Sequence, residues 1–122
     1  MPDAPRQLLG SLGERLALEH YQRLGFGLLD RNSRTGHGEI DLVVCDGRVT
    51  VFVEVKTRRA GGLDPLLSLT PAKRRRLRRL AAAWLTDHAE RPRTATVRID
   101  AVAIVVDRHG ALLSLEQFED VT

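Results

Sequence analysis

The sequence predicts an α/β fold with a mixed central sheet flanked by helices, on three observations. Two apolar, β-branched runs, residues 39–45 and 48–56, stand on either side of Asp46-Gly47. A third such run covers residues 96–106. Apolar residues at helical spacing bracket the first two runs, near the N-terminus and again over residues 71–85. A strand-rich middle between helices packs as a sheet with helices laid on it.

Each element has its own signal. In residues 7–24 the side chains Leu12, Leu16, Ala17, Tyr21 and Leu24 recur near a period of 3.6, and Gly25 follows as a stop. A short strand is expected over residues 26–29 and a polar loop over residues 31–38. Asp46-Gly47 reads as a two-residue turn of the I′ kind, which makes a hairpin of the flanking runs. Both runs are apolar on both faces, as central, doubly covered strands are. Gly61, Gly62 and Pro65 mark a loop. Thr70 can cap a helix with Pro71 in its first turn and with Leu77, Leu80, Ala81, Trp84 and Leu85 on one face. Pro92 breaks that pattern. His109-Gly110 then turns the third run into a last short strand over residues 111–115.

Composition bounds the class. At 122 residues, 43% hydrophobic and 29% charged, the chain is ordinary globular material and fits one domain, residues 1–122. Cys45 is the single cysteine, so no internal disulfide forms, which fits a reducing compartment. No apolar run approaches the roughly 18 residues of a membrane helix. Charges interrupt the leucines of residues 1–20, unlike a signal peptide. A cytoplasmic location without membrane contact is therefore expected. The net charge is +3, but it is concentrated. Lys73, Arg74, Arg75, Arg76, Arg78 and Arg79 crowd one helix with no acid among them. Without those six, thirteen basic residues face sixteen acidic ones. A local basic stripe beside an acidic remainder suggests a polyanion-binding surface, though a solvated helix face has the same composition. The four histidines show no metal-ligand spacing, and no Gly-rich phosphate loop, nucleophile elbow or zinc cluster occurs.

The hairpin carries the chemistry. With a two-residue turn Cys45 faces Arg48, Asp41 faces Phe52 and Glu39 faces Glu54. Glu39, Asp41, Glu54 and Lys56 then share one face of the sheet. Two carboxylates about 5 Å apart at an effective dielectric near 20 repel by roughly 3 kcal/mol. Lys56 offsets part of this, and a divalent cation would offset more. Mg²⁺ (or Mn²⁺) favours one or two carboxylates together with substrate phosphate oxygens. Asp41, Glu54 and Glu39 offer such oxygens, and Lys56 stands where an attacking water is oriented. The same residues are equally consistent with a buried ion-pair network in which Lys56 neutralises one acid.

A longer pattern runs through the chain in order. It comprises Gly13-Glu14, Arg31-Asn32 with Arg34, residues 38–42 (Gly-Glu-Ile-Asp-Leu), residues 51–58 (Val-Phe-Val-Glu-Val-Lys-Thr-Arg), residues 70–73 (Thr-Pro-Ala-Lys) and residues 98–100 (Arg-Ile-Asp). Together these resemble the small bacterial YraN family of predicted endonucleases, which is distantly similar to archaeal Holliday-junction resolvases. Asp41 and the group Glu54-Val55-Lys56 are similar to the PD-(D/E)xK nuclease signature. The resemblance implies a restriction-endonuclease-like fold, a metal site, and a branched or otherwise structured DNA substrate. It further implies that Asp41 and Glu54 bind metal, that Lys56 is the catalytic lysine and that Glu14 helps form the site.

Helix geometry puts Glu14 on the edge of the apolar face of its helix, able to look toward the sheet. Lys73 lies four residues before Leu77, on the inward row, while Arg74, Arg75 and Arg78 point outward to track a phosphate backbone. Arg31, Arg34 and Arg58 on flanking segments are further phosphate candidates. Arg98 and Asp100, two apart on a strand, are expected to form an ion pair of structural role, and Trp84 to pack in the core. A homodimer would suit a branched substrate. Two other readings use the same residues: a nucleic-acid-binding module without hydrolytic activity, and a partner-binding protein of DNA repair or uptake machinery.

Overall fold

The computed structural model describes residues 4–62 and 68–122, with side chains from residue 8 onward. Its elements follow the expected order: α1 (Ala4–Arg23), β1 (Gly27–Thr35), β2 (Gly38–Cys45), β3 (Val49–Arg59), α2 (Pro71–Asp87), β4 (Thr96–Val106) and β5 (Leu112–Phe118). Pro65 lies outside the described residues. The strands form one sheet in the order β1-β2-β3-β4-β5. The pair β3–β4 is parallel and the other three are antiparallel, so the sheet is mixed. A parallel pair needs a crossover, and α2 supplies it.

Period-two alternation divides the core into two layers. On one face, Ala17 and Tyr21 of α1 pack with Leu42, Val44, Val51, Val53, Val102, Ile104 and Val106. On the other, Leu77, Leu80, Ala81 and Trp84 of α2 pack with Ile40, Val43, Phe52 and Ile99. Because β3 and β4 are covered on both sides, their apolar runs are continuous. No described helix is long and apolar enough to cross a membrane.

Helix α2 starts as its residues require. Thr70 is the N-cap, its hydroxyl accepting from the Lys73 amide at 3.2 Å, and Pro71 occupies the first turn. The helix stops at Asp87, before Pro92, with the His88 amide donating to the Trp84 carbonyl. The indole of Trp84, buried as expected, donates to Asp30 at 2.9 Å and stacks on the His88 ring.

Three expectations are corrected. Residues 31–35 belong to β1 rather than to a loop. β1 is an edge strand, so it needs only one paired side, and polar residues are compatible with that. The last strand likewise runs to Phe118, not to Leu115. The turn after β2 is longer than two residues, for Cys45 pairs with Thr50. Residues 46–48 form the loop, closed by the Asp46 carboxylate, which accepts the amides of Arg48 and Val49 at 2.9 and 3.0 Å. An aspartate that bonds amides two and three residues ahead favours this wider turn. Phe52 therefore faces Val43, not Asp41.

Asp100 anchors the α1 layer. It is fully buried and accepts from Arg98 Nε (2.8 Å) and Nη2 (3.0 Å), the Tyr21 hydroxyl (2.8 Å), Gln117 (3.1 Å) and the Asp120 amide (3.0 Å). Burial and the Asp100 charge push the Tyr21 phenol well above its ordinary range. The expected Arg98–Asp100 pair is thus the centre of a five-bond structural network. Asp100→Ala strands every one of those donors, and its unfolding free energy is expected to drop by ~3–5 kcal/mol. A urea midpoint unchanged from that of the parent chain would contradict this.

Close helix packing decides a second position. A Cβ on Gly13 would lie 2.8 Å from Thr57 Cβ and closer still to its hydroxyl. Rotating Thr57 does not relieve a clash with its own Cβ, so only glycine lets α1 approach β3 here. Gly13→Ala is expected to destabilise by about 1–3 kcal/mol through overpacking, measured by the same urea titration alongside Gly10→Ala, where nothing stands within 4 Å.

Candidate active site

The close approach at Gly13 sets the next residue, Glu14, against the sheet. There it meets the N-terminal half of β2. The β2–β3 ladder ends at the pair Leu42–Val53, so Glu39 and Asp41 lie beyond it. Asp41 extends the ladder with its side chain: Oδ2 accepts the Val55 amide at 2.8 Å. Ligand oxygens of Glu14, Glu39 and Asp41 all lie within 4.8 Å of one another.

Alternation slips at this point. Ile40 and Val43 pack in the α2 layer, whereas Leu42 packs in the α1 layer. On the neighbouring strand, Asn32 sits between the pairs Arg31–Leu42 and Ser33–Ile40, level with Asp41. Its backbone is left-handed (φ 50°), a conformation asparagine tolerates better than most side chains. The irregularity interrupts the strict alternation that would carry Glu39, Asp41, Glu54 and Lys56 onto one face. Asp41 stands at the slip, Glu39 and Glu54 line one cavity against α2, and Glu14 reaches Asp41 from the α1 side.

Glu54 lies on the α2 side, following Phe52 by two residues. Its carboxylate pairs with Lys73 Nζ at 3.7 Å, with side chains only 17% and 29% exposed. Lys56 is exposed and makes no ion pair among the described residues. The lysine on the motif acid is thus Lys73, from another element, rather than Lys56.

The electrostatics follow from this crowding. Burial first, then the Glu54 charge, push the Asp41 carboxyl up to about 7, against the pull of the Val55 amide; Glu14 and Glu39 push the same way. Burial also raises Glu14, the Asn32 side chain counters it, and the neighbouring Glu39 adds to the rise. Four carboxylates share the region; among the described residues they pair with Lys73, on Glu54, and with the 87%-exposed Arg34, 3.8 Å from Glu39, while the exposed Arg31 acts on Glu14 from further off. A solvated arginine at that distance neutralises little.

The donor set fits a hard divalent cation. Oxygens around one Ca²⁺ at about 2.4 Å stand at most about 4.8 Å apart, and around Mg²⁺ at about 2.1 Å at most about 4.2 Å. The carboxylate oxygens of Glu14, Glu39 and Asp41 lie within the first limit.

The remaining candidates lie outside the acidic cluster itself. Arg31 and Arg34 are exposed on β1, and Arg74, Arg75 and Arg78 on the outer side of α2. Arg58 is more enclosed than expected. One guanidinium nitrogen donates to the Gly62 carbonyl at 3.1 Å, and its Nε is buried without a partner among the described residues. Sequence reasoning missed two residues. Asn32 had no signal beyond its place beside Arg31. Arg76 is half-buried, and one of its terminal nitrogens would stand 3.6 Å from a Cβ on Gly38. Its spacing of three from Lys73 and four from Leu80 was the available clue.

Fold and site together define an α/β protein that gathers carboxylates where two central strands part, beside a helix rich in arginine. The chain belongs to the uncharacterised protein family UPF0102, whose model matches residues 13–104; this is the YraN resemblance met in the sequence. The chain is similar to the UPF0102 protein of Acidothermus cellulolyticus, 49% identical over 109 residues, 82% of this chain and 83% of that one. Similar too are the UPF0102 proteins of Mycolicibacterium vanbaalenii (48% over 107 residues, 84% of each chain) and Mycobacterium tuberculosis (46% over 104 residues, 83% and 80%).

The raised Asp41 carboxyl predicts a pH dependence. Its folded value near 7 lies above an unfolded value near 4, so between them the folded chain holds a proton that the unfolded chain has lost. Stability contributed by that proton is present at low pH and lost as pH rises toward and past 7. In EDTA the melting temperature should fall from pH 5 to pH 8. Asp41→Asn, compared over the same range to cancel other titrating groups, should remove most of the decline and be the more stable protein at pH 8. Parallel curves for the two proteins would refute the assignment.

Proposed function

We propose that this chain is a metal-dependent endonuclease with a restriction-endonuclease-like fold, hydrolysing phosphodiester bonds in structured or branched DNA. The observation that carries the reading is the convergence of Glu14, Glu39 and Asp41 beside Glu54, with too little positive charge to balance them. Crowded carboxylates that raise one another's proton affinity are stabilised by a divalent cation. The mixed sheet with its parallel β3–β4 pair and α2 crossover, and the order of motif residues, support the same reading.

In this mechanism Asp41, Glu39 and Glu14 hold Mg²⁺ or Mn²⁺, with Glu54 beside them. When bound, the cation supplies charge for the scissile phosphate and acidifies a water. Asp41 is fixed for this by the Val55 amide, and Glu14 by the packing of Gly13 on Thr57. Lys56, exposed and uncommitted among the described residues, orients the attacking water or meets developing charge on the phosphate. The α2 arginines, with Arg31 and Arg34, hold the backbone and give affinity without sequence reading. Two copies would present two sites to a branched junction, and a cytoplasmic location fits a DNA substrate.

The test is cleavage of linear, nicked, flapped and four-way DNA in Mg²⁺, Mn²⁺ or EDTA. Metal-dependent cutting is expected for the parent chain, with a loss of about two orders of magnitude or more in Asp41→Ala. Salt-sensitive binding without cutting in any metal, unchanged by Asp41→Ala, would instead make the protein a nucleic-acid-binding module.

A further inference from the structure

The position of Lys73 is unfavourable for the helix that carries it. Counting from the N-cap Thr70, Lys73 is the third helical residue, the place where a glutamate would complete a capping box. Helix N-termini carry partial positive charge and disfavour cations, yet the first turn of α2 holds no acid. A lysine there does not serve the helix. It does serve Glu54, which it meets at 3.7 Å in a setting where both side chains are mostly enclosed. The inward row of α2 that continues through Leu77 and Leu80 aims it there.

We infer that Lys73 is a built-in counter-ion of the carboxylate site, displaced when a divalent cation binds and then free to take a substrate phosphate. This rests on the metal-dependent reading above and adds to it a coupling between metal loading and nucleic-acid binding. In the metal-free chain the ammonium neutralises Glu54 and limits the repulsion felt by Asp41. A divalent cation beside Asp41 draws on the Glu54 charge and repels the ammonium. Released, Lys73 stands at the N-terminus of α2 with Arg74 and Arg75 exposed beside it. Three cations at a helix N-terminus suit a phosphate. Cation and nucleic acid therefore bind with positive cooperativity, and by linkage each tightens the other equally. Lys56 has no part in this exchange.

The experiment measures Ca²⁺ binding by titration calorimetry, and binding of a fluorescein-labelled DNA duplex by anisotropy with Ca²⁺ or with EDTA. The proteins are the parent chain, Lys73→Ala and, as a charge-loss control in the turn after β2, Arg48→Ala. Lys73→Ala removes a competitor and should bind Ca²⁺ roughly two- to tenfold more tightly, the range of a partly enclosed ion pair. Ca²⁺ should strengthen duplex binding by the parent and by Arg48→Ala, and much less by Lys73→Ala. Unchanged or weaker Ca²⁺ binding in Lys73→Ala, or an undiminished Ca²⁺ effect on its duplex binding, overturns the exchange while leaving the metal site standing. No Ca²⁺ binding by the parent chain, with none of Mn²⁺ in the same calorimetric titration, overturns both the exchange and the metal reading.

Discussion

Crowding of negative charge at the open end of the β2–β3 pair is the constraint around which the molecule is arranged. Asp41 is inside the sheet, bonded to the Val55 amide as though it were a backbone carbonyl, and cannot move to water without giving up that bond. Glu14, Glu39 and Glu54 approach it from three elements. A site with this much uncompensated charge is costly, and the surrounding structure is what makes it tolerable. The apolar layers on both faces of β3 and β4 supply the stability, and the charged end is held by them rather than holding them together.

The supports are local and identifiable. Glycine at position 13 lets α1 lie against Thr57, which fixes how far Glu14 reaches. The left-handed Asn32 accompanies the slip in alternation that aims Asp41 between the two faces. Backbone strain of this kind commonly collects at functional sites, where surrounding packing enforces it. On the far side, the Asp100 network ties α1, β4, β5 and the C-terminal segment to one buried carboxylate. There every lone pair is matched by a donor, which separates a structural buried acid from the under-compensated ones at the site. Positive charge, meanwhile, is concentrated in the exposed arginines of α2 and the β1 edge.

Much of this was legible in the sequence because it depends on local rules. The order of helices and strands followed from periodicity. The start of α2 followed from Thr70 and Pro71, and its inner face from Leu77, Leu80 and Trp84. The bounds of β4 followed from a strongly apolar run, and the Arg98–Asp100 pair from a spacing of two on that strand. Hairpin chemistry named Asp41, Glu54 and Glu39 together, and the family resemblance added Glu14. The first part of β1 was read as a strand over residues 26–29, but its polar second part, residues 31–35, was not, because an edge strand is specified by its partner rather than by its own pattern.

What tertiary structure decided was direction. Spacing put Asp41, Glu54 and Lys56 on one face, but the turn at residues 46–48 shifted the β2–β3 register by two residues and the alternation slips between Ile40 and Leu42, so the partners changed. A side chain's face in a sheet depends on register, and register depends on turn geometry and on single irregular residues. The partner of Glu54 is likewise a residue nineteen positions away on a helix, and no local rule reaches that far. The sequence by itself determined which elements form and which acids and bases are available. Only the packing of α1 and α2 onto opposite faces decided which acids meet, and that Lys73 rather than Lys56 touches Glu54, because long-range contacts are set by how whole elements dock.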